Sequence, residues 1–391
     1  MDNFKSKITR PFRQSRTAKV AGIAAAIVVV VAGVFVARSM GAGYFSSTEA
    51  ESATLTAAAT VVTDSTASGG KAVEFKAATT PPPTIPPVIP PTTTPQPSTG
   101  WPQANNTGYP HGLPGDTRTP VTLTDYNCGH DSKGNILPLK ITTPMTIDSR
   151  IIRCPITITS PGVVIKNSFI NVEDAMAITV DADNANTLIQ DTEVSGLDGN
   201  GRPTDTSTGG ISLIGWGSYR LIRVNGHGSG DILRPNGSAQ VLDSWLHDPG
   251  CLGGECHNDT IQVTSADCNM STQSYLASNN QRYCLDFEHN SLQNPSQQTS
   301  NILIKADQGN IHDVYVNNNL FNGGGYSFYW YDAGFRSTNG TVVNNHFMRS
   351  PEAGGVFAKG GYWGPVAINA AQNPIIWTNN VWDDTNAQIG L

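Results

Sequence analysis

One short phrase recurs between Val163 and Trp382: alternating apolar residues, a polar residue with a small polar neighbour, then an apolar residue again. It reads VVIKNSFI from Val163, TLIQDTEV from Thr187, QVLDSWL from Gln240, LDFEHNSL from Leu285, VYVNNNLF from Val314, TVVNNHF from Thr341 and IIWTNNVW from Ile375. RLIRVNGH, from Arg220, is a degenerate further copy. Alternation is the period of a strand with one buried face, and the polar pair falls where the chain must bend. A strand and a bend returning every few tens of residues specify a solenoid. Helical repeats are excluded by the missing 3.6-residue period and by the Asn, Gly and Thr content.

Aligning the copies puts Asn167, Asp191, Asp243, His289, Asn318, Asn344 and Asn379 in one column. Side-chain amides at a stacked bend bond to one another and to turn backbone, so Asn167, Asn318, Asn344 and Asn379 are expected to be structural. A second column reads AITVD (from Ala177), GISLI (from Gly210), DILRP (from Asp231), TIQVT (from Thr260), NILIK (from Asn301) and SFYWY (from Ser327). Apolar second and fourth positions turn one face to a core, and the expected geometry is two sheets around one narrow core. Extra length between copies loops out at a corner without disturbing the stack. The polar stretch Asn127 to Leu137 and the tail after Trp382 are candidate caps for the ends.

On these repeats, residues 140 to 391 resemble the right-handed parallel β-helix superfamily, whose best-known members are pectate-lyase-like proteins. The resemblance implies an all-β, right-handed parallel β-helix. Superfamily members include polysaccharide lyases, hydrolases, epimerases, esterases, tailspikes and adhesins, so the fold alone does not select an activity. ILIKAD, from Ile302, is similar to the Arg-Ile-Lys segment of polygalacturonase-like hydrolases. Their closely spaced Asp pairs are missing in the usual order, as is the Arg or Lys constellation of pectate lyases.

The chain before the repeats is of another kind. Val20 to Ala37 is an uncharged apolar run of 18 residues behind six Lys or Arg, from Lys5 to Lys19. That length spans a bilayer, and the positive charges keep residues 1–19 in the cytoplasm. A cleaved signal peptide is the competing reading, disfavoured by the length of the run and by Phe35 and Ala37 at its end. Residues 20–37 are therefore expected to be a transmembrane signal anchor, and residues 38–100 a disordered Ala/Thr/Pro-rich linker ending in PPPTIPPVIPPTTTPQPSTG. Residues 101–391 form the β-helix domain, displayed outside the membrane.

Of the 24 Lys and Arg and 31 Asp and Glu in the chain, residues 1 to 43 hold seven basic and one acidic; the remainder is net −13. Nucleic acid is excluded as a partner for such a surface, whereas a polysaccharide is not. All six cysteines lie in the outer part, and an even number there indicates disulfides. Six cysteines allow fifteen connectivities. Proximity favours Cys128 with Cys154, Cys251 with Cys256 and Cys268 with Cys284. A metal site of His247, Cys251, Cys256 and His257 is the alternative, though the spacing matches no common zinc pattern.

Titratable residues crowd the middle coils, from Arg220 to Lys305, beside the longest insertions. Asp231, one residue before Ile232, is expected to point outward. The alignment stacks Asp231, Thr260, Asn301 and Ser327 in one outward row, then Leu233, Gln262, Leu303 and Tyr329, then Pro235, Thr264, Lys305 and Tyr331. Neighbouring strands stand about 4.8 Å apart, within the reach of one sugar unit. Asp231, Asp259, His257 and Lys305 are the candidate catalytic residues. Arg234, His227, His247, Gln262, Tyr329 and Tyr331 are candidate substrate-binding residues, with Trp330, Tyr362 and Trp363 as further stacking platforms. Hydrolysis needs two carboxyl groups about the glycosidic bond, for which Asp231 and Asp259 are the pair. β-Elimination from a polyuronate needs a base and a neutralised carboxylate, with Lys305, His257 or Arg234 contributing and calcium held by Asp231, Asp259 or Asp286. The expectation is a carbohydrate-active protein that cleaves an extracellular or cell-envelope polysaccharide; the rival is a non-catalytic glycan-binding or adhesin solenoid.

Overall fold

Each copy of the phrase builds two short strands and the bend between them. VVIKNSFI, for example, gives Val164–Lys166 and Phe169–Asn171. With the strand of the second column, every coil has three strands, so the solenoid has three sheets rather than the two expected. In the computed structural model the described residues are 59–63, 71–75 and 100–391, without 174, 182–184, 199–211, 251–256, 267, 269–280, 282 and 370–374. Among these, the first sheet runs from Leu139–Ile141 to Gly364–Asn369, the second from Thr146–Asp148 to Ile376–Thr378, and the third from Thr124–Asp125 to Val381–Trp382. They hold nine, nine and ten strands, and every pairing within them is parallel. This is the architecture of a parallel β-helix.

Inward positions stack in register. Ile156, Ile178, Ile214, Leu233, Ile261, Ile302 and Phe328 form the column of the first sheet. Ile165, Ile189, Leu221, Val241, Phe287, Val316 and Val342 form that of the second. All are fully buried. In the third sheet, Gly226 stands in the column between Val194 and Leu246. A Cβ there would sit 3.0 Å from both Ile232 Cγ2 and Leu246 Cδ2, because the coil ahead fills the same space with Ile232. This is why the copy containing Arg220 to His227 is degenerate.

The polar column is the bend between the second and third sheets. Asn167, Asp191, Asp243, His289, Asn318, Asn344 and Asn379 all have φ between 46° and 58°, and Arg223 takes the place in the degenerate copy at 51°. The left-handed region favours Asn and Asp, whose short polar side chains tolerate it. The buried amide ladder runs one residue later than the sequence suggested, through Asn290, Asn319, Asn345 and Asn380. The backbone N–H of Asn290, Asn319 and Asn345 donates to the Oδ1 of the next member at 3.0, 2.9 and 3.1 Å. Their Nδ2 groups donate to Oδ1 of the same neighbours and to second-sheet strand carbonyls. The column itself is tied at the surface, as where Asn344 Nδ2 donates to Asn317 Oδ1 at 2.9 Å.

Residues 101–121 lie along the third sheet as a strap, without strand structure. Trp101 stacks on His289 and meets His346 edge-on, both at 5.3 Å, and packs with Leu320 and Met348. Further along, Gly108 N–H donates to Arg223 O at 2.9 Å, Tyr109 packs beside Phe169, and Thr124–Asp125 pairs with Arg150–Ile151. The strap thus runs from late coils back to the first coil.

At that end, His130 bridges Ile136 within the expected cap. At the other, the tail returns: Ile389 N–H donates to Asn380 O at 2.8 Å, and Trp377 Nε1 donates to Ile389 O at 2.7 Å. Disulfides join Cys128 to Cys154 and Cys268 to Cys284, as sequence proximity suggested. Cys251 and Cys256 lie outside the described residues, as do the tail and anchor at 1–37.

The chain divides into two compact units, Met1–Pro90 and Pro91–Leu391. In the first, Ala59–Thr63 pairs antiparallel with Lys71–Phe75. A hairpin therefore interrupts the segment assigned by composition to a linker; ATVVT and KAVEF are β-prone stretches that a whole-segment average conceals. Among the described residues, no helix is long and apolar enough to cross a membrane.

Candidate functional site

The outward face of the first sheet collects much of the expected site. Arg234, Gln262, Leu303 and Tyr329 stand on successive strands in one register row. Two residues along, Tyr331 pairs with Lys305, and Thr264 follows the end of the preceding strand. The alignment held from Thr260 onward but slipped by one residue at Asp231. In DILRP both Ile232 and Leu233 are buried, so alternation could not fix the phase, and Arg234 rather than Leu233 joins the row. Thr260, Asn301 and Ser327, expected to face out, are fully buried.

Aromatic side chains close the late end of this face. Tyr329 lies 5.6 Å from Tyr331 and 5.3 Å, edge-on, from Tyr326. Tyr362 and Trp363 are exposed and fixed to the adjoining coil by N–H bonds to Gly324 O and Gly325 O at 2.7 Å. Trp330, expected as a platform, is instead in the core. Burial, with the neighbouring Tyr331, Tyr326 and Asp259, pushes the Tyr329 phenol up to about 12. Lys305 Nζ is 2.9 Å from Asp307 Oδ2, and Arg234 Nη1 is 3.9 Å from Asp231 Oδ2.

The two carboxyl groups expected to flank a glycosidic bond are held differently. Asp231 does not point outward. It and Asp259 are each only 2% exposed, on neighbouring coils. Asp231 Oδ1 accepts the Asp259 N–H at 2.8 Å, and Asp259 Oδ1 accepts Ser300 N–H at 2.7 Å and its hydroxyl at 2.6 Å. Asp259 Oδ2 accepts Gln262 Nε2 at 3.0 Å. Each carboxyl therefore caps the backbone of the coil above, as the Asn ladder does at another corner. Burial raises the pKa of Asp259, against the hydrogen bonds from Ser300 and Gln262 and the nearby His257. His257 itself is exposed, two residues before it.

His227 and His247 lie around the same corner, at the ends of paired third-sheet strands, their rings 4.9 Å apart. His227 Nε2 is 3.1 Å from Glu193 Oε1, whose Oε2 is 3.2 Å from His111 Nε2 on the strap. His247 contacts Asp248 Oδ2 at 2.8 Å and Asn225 Oδ1 at 2.9 Å, and stacks on Trp245. Burial lowers its pKa, against the pull of Asp248. The structure brings together Arg234, Gln262, Lys305, Tyr329 and Tyr331 on one face, and places His227 and His247 on another.

Sequence reasoning missed Glu193 and His111, whose meeting depends on the strap. It also left Asp286 without a setting. That residue is on the second sheet, 3% exposed, with Oδ2 accepting Gln240 Nε2 at 2.9 Å and Oδ1 without a hydrogen-bond partner among the described residues. Burial pushes it up to about 7, with the Gln240 bond opposing and the charge of Glu288 adding to the rise. Asp286, one of the three alternative calcium holders, thus stands on the second sheet, whereas Asp231 and Asp259 precede first-sheet strands. Among the described residues, no group of three or more His, Cys, Asp or Glu is placed to hold a metal ion. Comparison with protein-family models, with curated proteins and with solved structures returns no match.

Proposed function

We propose that the chain is a surface-displayed, carbohydrate-active β-helix protein that binds an acidic extracellular or cell-envelope polysaccharide on its first sheet and cleaves it by β-elimination. The observation that carries this reading is the row Arg234–Gln262–Leu303–Tyr329 beside Lys305 and Tyr331. It sets two cations and several aromatic faces on one side of an otherwise acidic domain. In this reaction Arg234 faces the uronate carboxylate and spreads its charge. A base, Lys305 or the exposed His257, takes the adjacent proton; a carbon–carbon double bond forms as the glycosidic C–O bond breaks, and the leaving oxygen takes a proton. Elimination is favoured over hydrolysis because the carboxyls of Asp231 and Asp259 are occupied by backbone donors. The same occupancy favours a second reading, a solenoid that binds glycan without cleaving it.

The right hand of the coil follows from the general preference of parallel crossovers. The apolar run at 20–37, behind its basic tail, supports display from a membrane anchor. The test is the full-length chain on a panel of uronic and neutral polysaccharides with calcium, following reducing ends and unsaturated-product absorbance together. Both signals are expected on a polyuronate, with a loss of roughly 10²-fold or more in Arg234→Ala and in whichever of Lys305→Ala and His257→Ala removes the base. Reducing ends without absorbance would replace elimination with hydrolysis, and saturable binding without product would leave the binding solenoid.

A further inference from the structure

A cleft of about 590 Å³ lies between the strap and the bend joining the second and third sheets, away from the first-sheet face. Its walls include Pro110, Thr117, Arg118 and Val121 from the strap and Asp191 and Arg223 from the bend. The ionic part is built and closed on itself. Arg118 bonds both oxygens of Asp116 at 3.0 Å, and reaches Asp191 Oδ1, Gly108 O and Thr107 O at 3.0, 2.8 and 3.0 Å. Arg223 grips both oxygens of Asp191 at 2.7 and 2.8 Å. These bonds from Arg223 and Arg118 hold the Asp191 pKa down, although burial opposes them.

Two observations point to a ligand. Arg223 occupies a left-handed position, φ 51°, in a column otherwise dominated by Asn and Asp, a costly place for a long side chain. Its Nη1 has no partner among the described residues. Thr117 and Thr119, both exposed, put their hydroxyls on the opposite wall. The lining therefore offers fixed donors and acceptors whose formal charges cancel, two guanidiniums against two carboxylates, beside apolar carbon from Pro110 and Val121. A cancelled lining gives an anion no net attraction. It suits a neutral ligand dense in hydroxyl groups with a C–H face.

We propose that this cleft is a second saccharide site, taking a neutral sugar unit, with Arg223 Nη1 and the two Thr hydroxyls as its specific contacts. It is independent of the reading of the first-sheet face. The strap supplies one wall, so occupancy also fastens the strap to the coils.

The experiment titrates the full-length chain in lipid nanodiscs with cellobiose and maltose, and with galacturonate as the anionic comparison, followed by saturation-transfer NMR. A neutral disaccharide should saturate with a Kd near 1 mM, in order of magnitude about −4 kcal/mol. Arg223→Lys, which keeps charge but loses the planar fork, should weaken it about tenfold. Thr119→Trp, on an exposed position that does not support the fold, should block it. Preference for galacturonate, loss in Tyr331→Ala with both cleft variants unaffected, or no saturable signal for either neutral sugar up to about 20 mM would overturn the proposal.

Discussion

Asp286 makes the stability of the solenoid fall as pH rises through the neutral range. In the fold its pKa is pushed from 3.8 to about 7, chiefly by burial. The unfolded chain has the lower value, so between these limits the folded state holds a proton that the unfolded state has released. The associated stability is full below about 4 and lost as pH rises through about 7. A rise of about three units at 1.36 kcal/mol each sets a ceiling of about 4 kcal/mol. The geometry gives the proton a place: Oδ1 has no donor among the described residues, and Glu288 stands two residues along the same outward side. Asp286→Asn keeps the shape and an acceptor for Gln240 while removing the charge. Urea unfolding by Trp fluorescence from pH 4 to 8 should show the variant gaining on the parent steadily, to at most about 4 kcal/mol at pH 8. His247, whose lowered pKa gives the opposite slope, and Asp259, whose raised pKa gives the same slope, are common to both chains and cancel in the difference. A flat difference curve would refute the reasoning.

Asn319→Ala should cost about 2–4 kcal/mol in chemical denaturation, because Asn290 N–H and the buried Phe287 carbonyl lose their partner together; a loss below about 0.5 kcal/mol would contradict the ladder's role. Asp259→Ala should cost about 2–4 kcal/mol, whereas Asp259→Asn keeps an acceptor for Ser300 and should cost less than half of that. Equal losses in the two variants, measured by thermal unfolding, would show that the backbone cap is not what the side chain provides. Gly226→Val should destabilise by about 1–3 kcal/mol through overpacking on Ile232 and Leu246, and an unchanged melting temperature would contradict the close packing of that coil.

The column at the bend was legible because a left-handed backbone selects side-chain type, and selection of type is what a sequence records. The ladder was misplaced by one residue for a related reason. In Asn318–Asn319, Asn344–Asn345 and Asn379–Asn380 both members are Asn, and only geometry tells which turns outward and which is sealed inside. The slip at Asp231 has the same character: two consecutive apolar residues, Ile232 and Leu233, leave a period-two pattern without a phase. The strap was not legible, since it has no period and its contacts join residues far apart in the chain.

Yet the column carried a trace of the strap. Where the bend meets only its neighbouring coils, as at Asn344 and Asn379, the residue is Asn, bonded along the column or to the adjoining strand. Where the strap's side chains reach the bend, the column changes type at two places. Asp191 receives Arg118, and His289 receives the Trp101 ring while bonding Asp243 at 2.6 Å. The backbone demand is the same at every one of these bends, so the departures at Asp191 and His289 answer to the strap outside the coil. In a repeat protein, then, the copies that obey the pattern report the fold, and the copies that break it report what the fold touches.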